Sequence, residues 1–269
     1  MKELNSGTAD TEKLDLLAQK VVEGDYADQT VIMDTAADIV FHQTKRMMDT
    51  IIDYKELMMM YTCAIKEVQT KFEVFNTEFN VRYRRNPISS INTRMKKMSS
   101  IVEKLNRQGQ SFSVESVEKN IHDVAGVRII CAYIDDIYTI ADSLLKQDDI
   151  TLVARKDYIA NPKPNGYRSL HLIVRVPVFF AEQKKSMKVE VQIRTIAMDF
   201  WASLEHQLKY KQEIMNEQEI IGRLKACAET INATDKEMQN IRRQIEEAED
   251  APTEEEIMIE KLHKLDFSI

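Results

Sequence analysis

The chain has 269 residues, of which 43% are hydrophobic and 30% charged, with a net charge of −7 and only 6 glycines and 5 prolines, a composition typical of a globular, largely helical protein rather than a disordered or fibrous one. It has no signal-peptide core at its N-terminus and no apolar stretch long enough to span a membrane, and its three cysteines are far apart in the sequence. These features argue against a disulfide framework or a structural zinc site, and they predict a cytoplasmic protein with reduced thiols.

The charge is distributed unevenly along the chain. Residues 1–80 carry 8 Lys and Arg against 15 Asp and Glu, residues 81–211 carry 22 against 14, and residues 212–269 carry 7 against 15. A basic centre of this kind favours a polyanionic ligand, because clustered cations focus the electrostatic field on phosphates. An ordinary solvated surface can show the same surplus, so the charge alone does not identify a ligand.

Hydrophobic spacing predicts helices over residues 10–80, and Asn86-Pro87 ends this pattern. A new helix is predicted over residues 94–107. The middle of the chain then alternates, with strands predicted over 127–134, 151–158, 169–178 and 187–194 and helices over 137–146 and around Trp201. From residue 220 to residue 245 apolar residues repeat at 4-3 spacing, which predicts a long helix that packs along a partner helix, within or between chains.

The strand over 187–194 is the most informative segment. Its apolar residues alternate with Glu190, Gln192 and Arg194, so that a carboxylate, an amide and a guanidinium are expected on one face. An edge strand with a solvated polar face would show the same alternation. The segments described next decide between these interpretations.

The predicted helix over residues 94–107 carries a basic cluster. Lys96, Ser100 and Lys104 recur every four residues and would line one face of that helix. Two ammonium groups beside a hydroxyl could hold successive phosphates, and Arg94 could stack on a base. An exposed basic helix face is the alternative interpretation of such a cluster.

Asp123 lies directly before a buried strand, where a carboxylate is well placed to bind Mg²⁺. Glu190 from a neighbouring strand could share the ion. The dipeptide His122-Asp123 also occurs in metal phosphohydrolases, but the other histidines of the chain lack the spacing that such a site needs. The sequence therefore favours a magnesium site over a hydrolase centre.

Three further polar residues follow Asp123 in the chain. Tyr167, in the turn after Gly166, could present a flat face to a base, and His171 lies on the strand that follows. Glu205, on the helix around Trp201, could hold a basic group of a ligand or make only a salt bridge. Each of these residues taken singly is also typical of a purely structural role.

In chain order, these segments resemble the synthetase domain of the RelA/SpoT-type (p)ppGpp synthetases, and more closely the small alarmone synthetases, the short single-domain form. The likeness covers roughly residues 80–211, about half of the chain, and five motifs in the family's order are far more specific than any one of them. The motifs are Arg94-x-Lys96-x-x-x-Ser100-x-x-x-Lys104, Asp123-x-Ala125-Gly126-x-Arg128, Gly166-Tyr167-x-Ser169-x-His171, Glu190-x-Gln192-Ile193-Arg194-Thr195 and Trp201-x-x-x-Glu205-His206.

The resemblance implies an α+β fold in which helices flank a mixed β-sheet, as in nucleotidyltransferase-like synthetase domains. It divides the chain into a helical N-terminal region over 1–80, a catalytic domain over 81–211 and a helical oligomerisation region over 212–269. Because no hydrolase half precedes the motifs and no long regulatory region follows them, it implies a synthetase-only enzyme. It also implies a homotetramer and allosteric (p)ppGpp; single-stranded RNA is a further implied partner, although the acidic chain gives RNA binding little support.

The implied reaction transfers the β,γ-pyrophosphoryl group of ATP to the 3′-hydroxyl of GDP or GTP, which gives ppGpp or pppGpp and AMP. The implied catalytic residues are Glu190, Asp123, Lys96, Lys104 and Gln192, with Asp123 and Glu190 also as Mg²⁺ ligands, and the implied substrate-binding residues are Arg94, Ser100, Arg128, Tyr167, His171 and Glu205. Arg94 and Arg128 would sandwich the adenine, and Tyr167 would stack on the guanine. Glu190 is the best-placed group to accept the proton of the 3′-hydroxyl.

One departure from the family's pattern is Asp199, where the family carries Asn, and we expect this change to alter contacts with the acceptor. The alternative function is a catalytically silent or effector-dependent oligomeric module that binds nucleotide or RNA. A degenerate module would have lost part of the charged set, whereas all of it is present in this sequence.

Overall fold

The computed structural model describes residues 29–83, 85–210 and 217–249 of the chain. The helices predicted between residues 10 and 28, and residues 250–269 of the predicted C-terminal region, lie outside the described residues. Within these ranges, none of the helices has the length and apolar character needed to cross a bilayer.

The first described element is one helix of 55 residues, α1 (Gln29–Tyr83), which is about 80 Å long at the rise of an α-helix. From Leu57 onward it buries one face, in which Tyr61, Val68 and Phe72 recur at helical spacing. Over residues 37–56 most side chains, Phe41 among them, are exposed. The helix ends before Asn86-Pro87, as the sequence predicts.

Five strands form one mixed sheet: β1 (Ile88–Met95), β2 (Ala125–Cys131), β3 (Thr151–Asp157), β4 (Leu170–Phe179) and β5 (Lys184–Thr195). Their order in the sheet is β1-β2-β5-β4-β3. The central pair β2 and β5 is parallel, and every other pair is antiparallel. This confirms the predicted α+β fold with a mixed sheet.

In the part of the chain that the structure describes, five further helices flank the sheet: α2 (Met98–Arg107), α3 (Val114–Asn120), α4 (Ile134–Leu145), α5 (Ile196–Tyr210) and α6 (Glu217–Glu249). The predictions for β2 to β5, for α4 and for the helix around Trp201 are confirmed within a few residues at each end. The prediction of a helix over 94–107 is wrong at its start, because Arg94 and Met95 belong to β1 and the helix begins only at Met98. Neither β1 nor the short helix α3 was predicted.

The sheet has one buried face and one open face. Val127 of β2, Leu172 of β4 and Val191 of β5 are all but fully buried and belong to the same hydrophobic cluster as Phe72 of α1. Burial of each large side chain in this cluster stabilises the fold by about 1.5–3 kcal/mol. Because side chains alternate along a strand, the residues between these positions lie on the opposite, open face.

Helix α6 packs on α5 and α4 through a face that contains Ala228, Asp235 and Gln239. The middle of α6 is tied to the end of β5, because Thr195 donates a hydrogen bond of 2.6 Å to Asp235. Thr195 also accepts a hydrogen bond of 3.1 Å from the backbone N–H of Met198, at the start of α5. The predicted long helix is therefore confirmed, with a partner helix inside the chain. Three large apolar residues of the 4-3 repeat are exposed: Met238, Ile241 and Ile245.

Candidate active site

Strand pairing places the predicted groups on two neighbouring rungs of the open sheet face. In one rung Arg94 lies opposite Gly126, and Gly126 lies opposite Glu190. In the next rung Arg128 lies opposite Gln192. These positions are two residues apart on each strand, so their side chains point to the same side. A cleft of about 380 Å³ opens here, lined in part by the same two arginines.

Gly126 allows Arg94 to lie flat across β2. A Cβ atom at position 126 would be 3.0 Å from Cγ and 3.1 Å from Nε of Arg94, closer than side chains normally approach. Through this gap Arg94 reaches over the neighbouring strand, and its Nη2 lies 3.3 Å from Oε2 of Glu190. The glycine of the second motif thus has a steric reason that the sequence alone did not reveal.

Asp123 is the meeting point of two lysines. Nζ of Lys96 lies 3.0 Å from one carboxylate oxygen and Nζ of Lys104 lies 2.9 Å from the other. Burial by itself would raise the pKa of Asp123, but the hydrogen bonds and charges of the two lysines outweigh it, so the pKa lies below its usual value. The carboxylate is therefore ionised at neutral pH.

The predicted arrangement of this basic cluster needs a correction. Lys96 precedes α2, so it does not share a helix face with Ser100 and Lys104 as the four-residue spacing suggested; only Ser100 and Lys104 lie on the helix. The two ammonium groups nevertheless converge, because Lys96 approaches Asp123 from the end of β1. Ser100 lies one turn before Lys104 on α2.

A continuous row of polar contacts leads to Glu190 from the other side. Arg194 donates a hydrogen bond of 2.6 Å to the hydroxyl of Tyr167, and that hydroxyl lies 2.8 Å from Nε2 of His171. Nδ1 of His171 lies 3.5 Å from Glu190. Since the Tyr167 hydroxyl already accepts from Arg194, it can donate to Nε2, which leaves the imidazole proton on Nδ1, facing the carboxylate.

This environment fixes the charge of both partners at the end of the row. Burial lowers the pKa of His171, and with the charges of Arg194 and Lys163 it outweighs the opposing effect of Glu190, so the imidazole is neutral at pH 7. Burial opposes ionisation of Glu190, but the hydrogen bonds from His171 and Gln192 and the charge of Arg94 outweigh it, and the pKa of Glu190 lies below its usual value. A carboxylate held in this way is ready to accept a proton or to bind a cation.

The loop that contains Tyr167 is joined to α5 by a side-chain hydrogen bond. The amide of Asn165 donates a hydrogen bond of 3.1 Å to Glu205, and the side-chain oxygen of Asn165 accepts one of 3.2 Å from the backbone N–H of Tyr167. Glu205 is only 8% exposed. The structure therefore places Glu205 under the loop, and a direct contact with a ligand stays a prediction.

Helix α6 supports the same loop from the side. Gly166 has φ of +90°, and a Cβ atom there would lie 2.5 Å from Cβ of Ala228. The guanidinium of Arg168 lies 3.2 Å from the carbonyl oxygen of Gly166 and 3.1 Å from the carboxylate of Glu229. These α6 residues were not predicted from the sequence, because no local pattern indicates which loop a distant helix contacts.

Cations surround the ring of Tyr167. The ammonium group of Lys163 lies 4.7 Å from the ring centroids of both Tyr158 and Tyr167, and the guanidinium of Arg194 lies 5.1 Å from that of Tyr167. Lys163 was not predicted as a site residue, although a lysine between two prolines, four residues before this tyrosine, is a signal that could have found it. Asp199 joins the two sides of the site, at 3.4 Å from Arg128 and 3.1 Å from Arg194.

We expect stability to fall as the pH is lowered through about 6.5. Burial and the neighbouring charges of Lys188 and Lys104 lower the pKa of His122, and burial likewise lowers the pKa of His171, in both cases below the usual 6.5. The unfolded chain then binds these protons at a higher pH than the folded chain does, which favours unfolding as the pH drops. Thermal unfolding measured from pH 8 to pH 5 checks this.

In that experiment His122→Gln should flatten the dependence of the midpoint on pH, whereas His42→Gln, at an exposed position of α1, should leave it unchanged. An equal slope in all three proteins would contradict the assignment.

Comparison with known proteins decides the family. The model of the region found in RelA / SpoT proteins matches residues 93–215. The chain is 42% identical over 194 residues to GTP pyrophosphokinase YwaC of Bacillus subtilis (strain 168), a match that covers 72% of this chain and 92% of the relative. The chain belongs to the RelA/SpoT family. Within it, the chain is a small alarmone synthetase, as the motifs predicted.

Solved structures of small alarmone synthetases share the fold. Small alarmone synthetase 2 from Bacillus subtilis is 42% identical, with a TM-score of 0.64, and the match covers 71% of this chain and 99% of that one. Small alarmone synthetase 1 from the same organism, bound to its product pppGpp, is 34% identical with a TM-score of 0.65, over 71% and 97% of the two chains. The same protein bound to AMPCPP is 31% identical with a TM-score of 0.60, and the match covers 72% of this chain and 98% of that one.

Proposed function

We propose that this small alarmone synthetase is a GTP pyrophosphokinase, which transfers the β,γ-pyrophosphoryl group of ATP to the ribose 3′-hydroxyl of GDP or GTP. The observation that carries the proposal is a pair of carboxylates held by cations: Asp123 lies just before β2, and Glu190 lies on β5, the strand next to it. The names of the matched relatives and the pppGpp-bound and AMPCPP-bound neighbours support the same reaction.

In this reaction the 3′-oxygen of the acceptor attacks the β-phosphorus of ATP. The bond between that phosphorus and the bridging oxygen to the α-phosphate breaks, AMP leaves, and the proton of the 3′-hydroxyl passes to a base. Glu190 suits the role of the base, because it is ionised at neutral pH and is held by Gln192 at 2.8 Å and by His171. Gln192 and His171 orient the carboxylate without competing for the proton.

Binding of ATP falls to the cationic side of the site. Lys96, Lys104 and Ser100 are assigned to the phosphates, and the cleft between Arg94 and Arg128 is assigned to the adenine, on whose faces a guanidinium can stack. Because Arg94 contacts Glu190 in the free protein, adenine binding draws it away from the base. Donor binding therefore prepares the carboxylate for the acceptor.

The two carboxylates fit a magnesium ion. No group of three or more His, Cys, Asp or Glu side chains suited to a metal occurs in the described part of the chain. Two hard oxygen ligands are what Mg²⁺ takes from a protein when substrate phosphates and water complete its coordination, so Asp123 and Glu190 would hold it. When bound, the ion offsets negative charge that develops on the phosphates.

The acceptor side is assigned to the loop around Tyr167, with the guanine stacked on its ring. Lys163 and Arg194 lie close to that ring and supply positive charge for a nucleotide with several phosphates. Asp199 contacts Arg194, so its effect on acceptor binding is assigned to the placing of this guanidinium.

We further propose the division predicted from the sequence, with the catalytic domain over 81–211, and a homotetramer in which α6 takes part. The exposed face of α6 formed by Met238, Ile241 and Ile245 supports this assembly. Changing all three residues to Lys should lower the mass measured by light scattering, whereas Lys236→Ala, at another exposed position of α6, should not. An unchanged mass in the triple variant would contradict the role of α6.

The function is tested by incubating the purified chain with ATP, Mg²⁺ and either GDP or GTP, and separating the nucleotides by anion exchange. A new tetraphosphate or pentaphosphate should appear one-for-one with AMP. AMPCPP in place of ATP should give none, because its methylene bridge replaces the bond that must break. Failure with both acceptors would favour a silent or effector-dependent binding module, and consumption of ppGpp with Mn²⁺ would favour a hydrolase.

A further inference from the structure

Lys188 is a charged residue of β5 that the proposed reaction does not use. It lies two residues before Glu190, on the same open face of the strand. Its Nζ lies 2.9 Å from the carbonyl oxygen of Glu118, 3.4 Å from that of Lys119 and 3.2 Å from Nδ1 of His122. One side chain thus joins the strand that carries Glu190 to the segment that leads into Asp123.

The backbone carbonyls that Lys188 contacts belong to the last turn of α3, where carbonyl groups have no partner inside the helix. A lysine at a helix C-terminus satisfies such groups and interacts favourably with the helix dipole. In the contact with His122, the ammonium group donates to Nδ1 of the imidazole.

These contacts also show what Lys188 does not do. An ammonium group has three protons, and the three contacts of Lys188 engage all of them. No proton is left for a substrate phosphate while the segment stays in place. Lys188 therefore differs from Lys96 and Lys104, which contact only a carboxylate that phosphates can replace.

We propose that Lys188 is a positioning residue for the reaction. By fixing residues 118–122 against β5, it keeps the carboxylate of Asp123 in place relative to Glu190, which lies on the same strand as Lys188. The inference rests on the proposed function for its catalytic meaning.

The support from Lys188 matters most when substrate is bound. In the free protein Lys96 and Lys104 hold the side chain of Asp123 directly. Once ATP phosphates engage these lysines, that support is lost, and the backbone on either side of Asp123 must keep it in place. On one side a hydrogen bond of 2.8 Å from the backbone N–H of Lys96 to the carbonyl oxygen of Val124 does this, and on the other side Lys188 does.

The test uses Lys188→Met, with Lys185→Met as the matched control. Lys185 lies on the same strand and contacts the same helix, but through the carboxylate of Glu118, at 2.6 Å, and not through the backbone or His122. Three quantities are measured in each protein: hydrogen exchange in residues 118–124, Mn²⁺ affinity by paramagnetic resonance with AMPCPP present, and the dependence of turnover on Mg²⁺ and on GDP.

We expect Lys188→Met to speed exchange in residues 118–124, and to weaken Mn²⁺ binding and raise the half-saturating Mg²⁺ roughly tenfold to a hundredfold, the usual cost of losing a residue that orients a metal ligand. The KM for GDP should stay within about twofold, since a metal-orienting contact does not touch the acceptor. Lys188→Arg, which keeps the donors, should restore most of the metal affinity, whereas a merely unfolded variant would lose GDP binding as well.

Unchanged Mn²⁺ affinity in Lys188→Met, or an equal loss in Lys185→Met, would overturn the inference. A wild-type chain that makes no alarmone would overturn the proposed function instead, and the Mn²⁺ and exchange measurements would still decide the role of Lys188.

Discussion

We expect the Glu190→Gln variant to lose between about a hundredfold and ten-thousandfold of its turnover, the range attributed to a positioned general base. Glutamine keeps the shape of the side chain and its contact with Gln192, but it can neither accept the proton of the 3′-hydroxyl nor supply a negative charge to a cation. The pKa of Glu190 lies below its usual value, so the wild-type base should stay active well into mildly acidic solution.

The experiment compares turnover under saturating ATP, GDP and Mg²⁺, with Glu182→Gln as the control. Glu182 is exposed in the turn between β4 and β5. The control should match the wild type, and the affinity for GDP should be retained in Glu190→Gln. Near-normal turnover of Glu190→Gln with metal bound would remove Glu190 from the role of base.

The second large effect is expected for Gly166→Ala. The added methyl group would lie 2.5 Å from Cβ of Ala228, and the backbone at +90° is one that side chains rarely adopt. The backbone cost is about 1–2 kcal/mol, and the overlap adds about 1–3 kcal/mol of strain. Relief requires the loop or α6 to move, which displaces Tyr167. Stacking on a base is worth about 1–3 kcal/mol, so the KM for the acceptor should rise about tenfold or more while the KM for ATP changes little.

Gly109→Ala is a matched control, because Gly109 also has a positive φ, of 67°, but has open space around its Cβ position. Gly109→Ala should lose only the stability that the strained backbone costs, and its KM values and turnover should stay normal. Adding Ala228→Gly to Gly166→Ala removes the overlapping methyl group and should recover most of the lost acceptor affinity. If the double variant were no better than Gly166→Ala, the contact with α6 would not be the cause. Thermal unfolding and steady-state kinetics on the four proteins measure this.

The sequence predicted those elements whose own side chains carry the signal. Alternating apolar residues identified β4 and β5, and a long apolar repeat identified α6. Strand β1 was missed because Ser89-Ser90 and Asn92-Thr93 make it polar on both sides of Ile91, and its pairing with β2 stabilises it through the backbone. The regular spacing of Lys96 and Lys104 then suggested a helix that starts too early.

For the site, the sequence could name the groups but not their partners. The motifs singled out Arg94, Asp123 and Glu190, and the structure brings all three to one region. That Arg94 crosses Gly126 to reach Glu190, and that two lysines meet at Asp123, follows from strand register, and a sequence does not show register directly. The support of the Tyr167 loop by α6 depends on packing between distant segments, which no local pattern encodes.

The place of β5 in the sheet has a consequence for how the enzyme is made. Of the strands in the described residues, β5 is the last to be synthesised, yet it lies in the middle of the sheet, between β2 and β4. Until it leaves the ribosome, the pairs β1–β2 and β3–β4 are separate, each with an unpaired inner edge that is open to aggregation. Arg94 can contact Glu190 only after a further 96 residues have been synthesised. A nascent chain therefore brings the residues proposed for catalysis together in a single late step, and a fragment interrupted before this strand lacks Glu190.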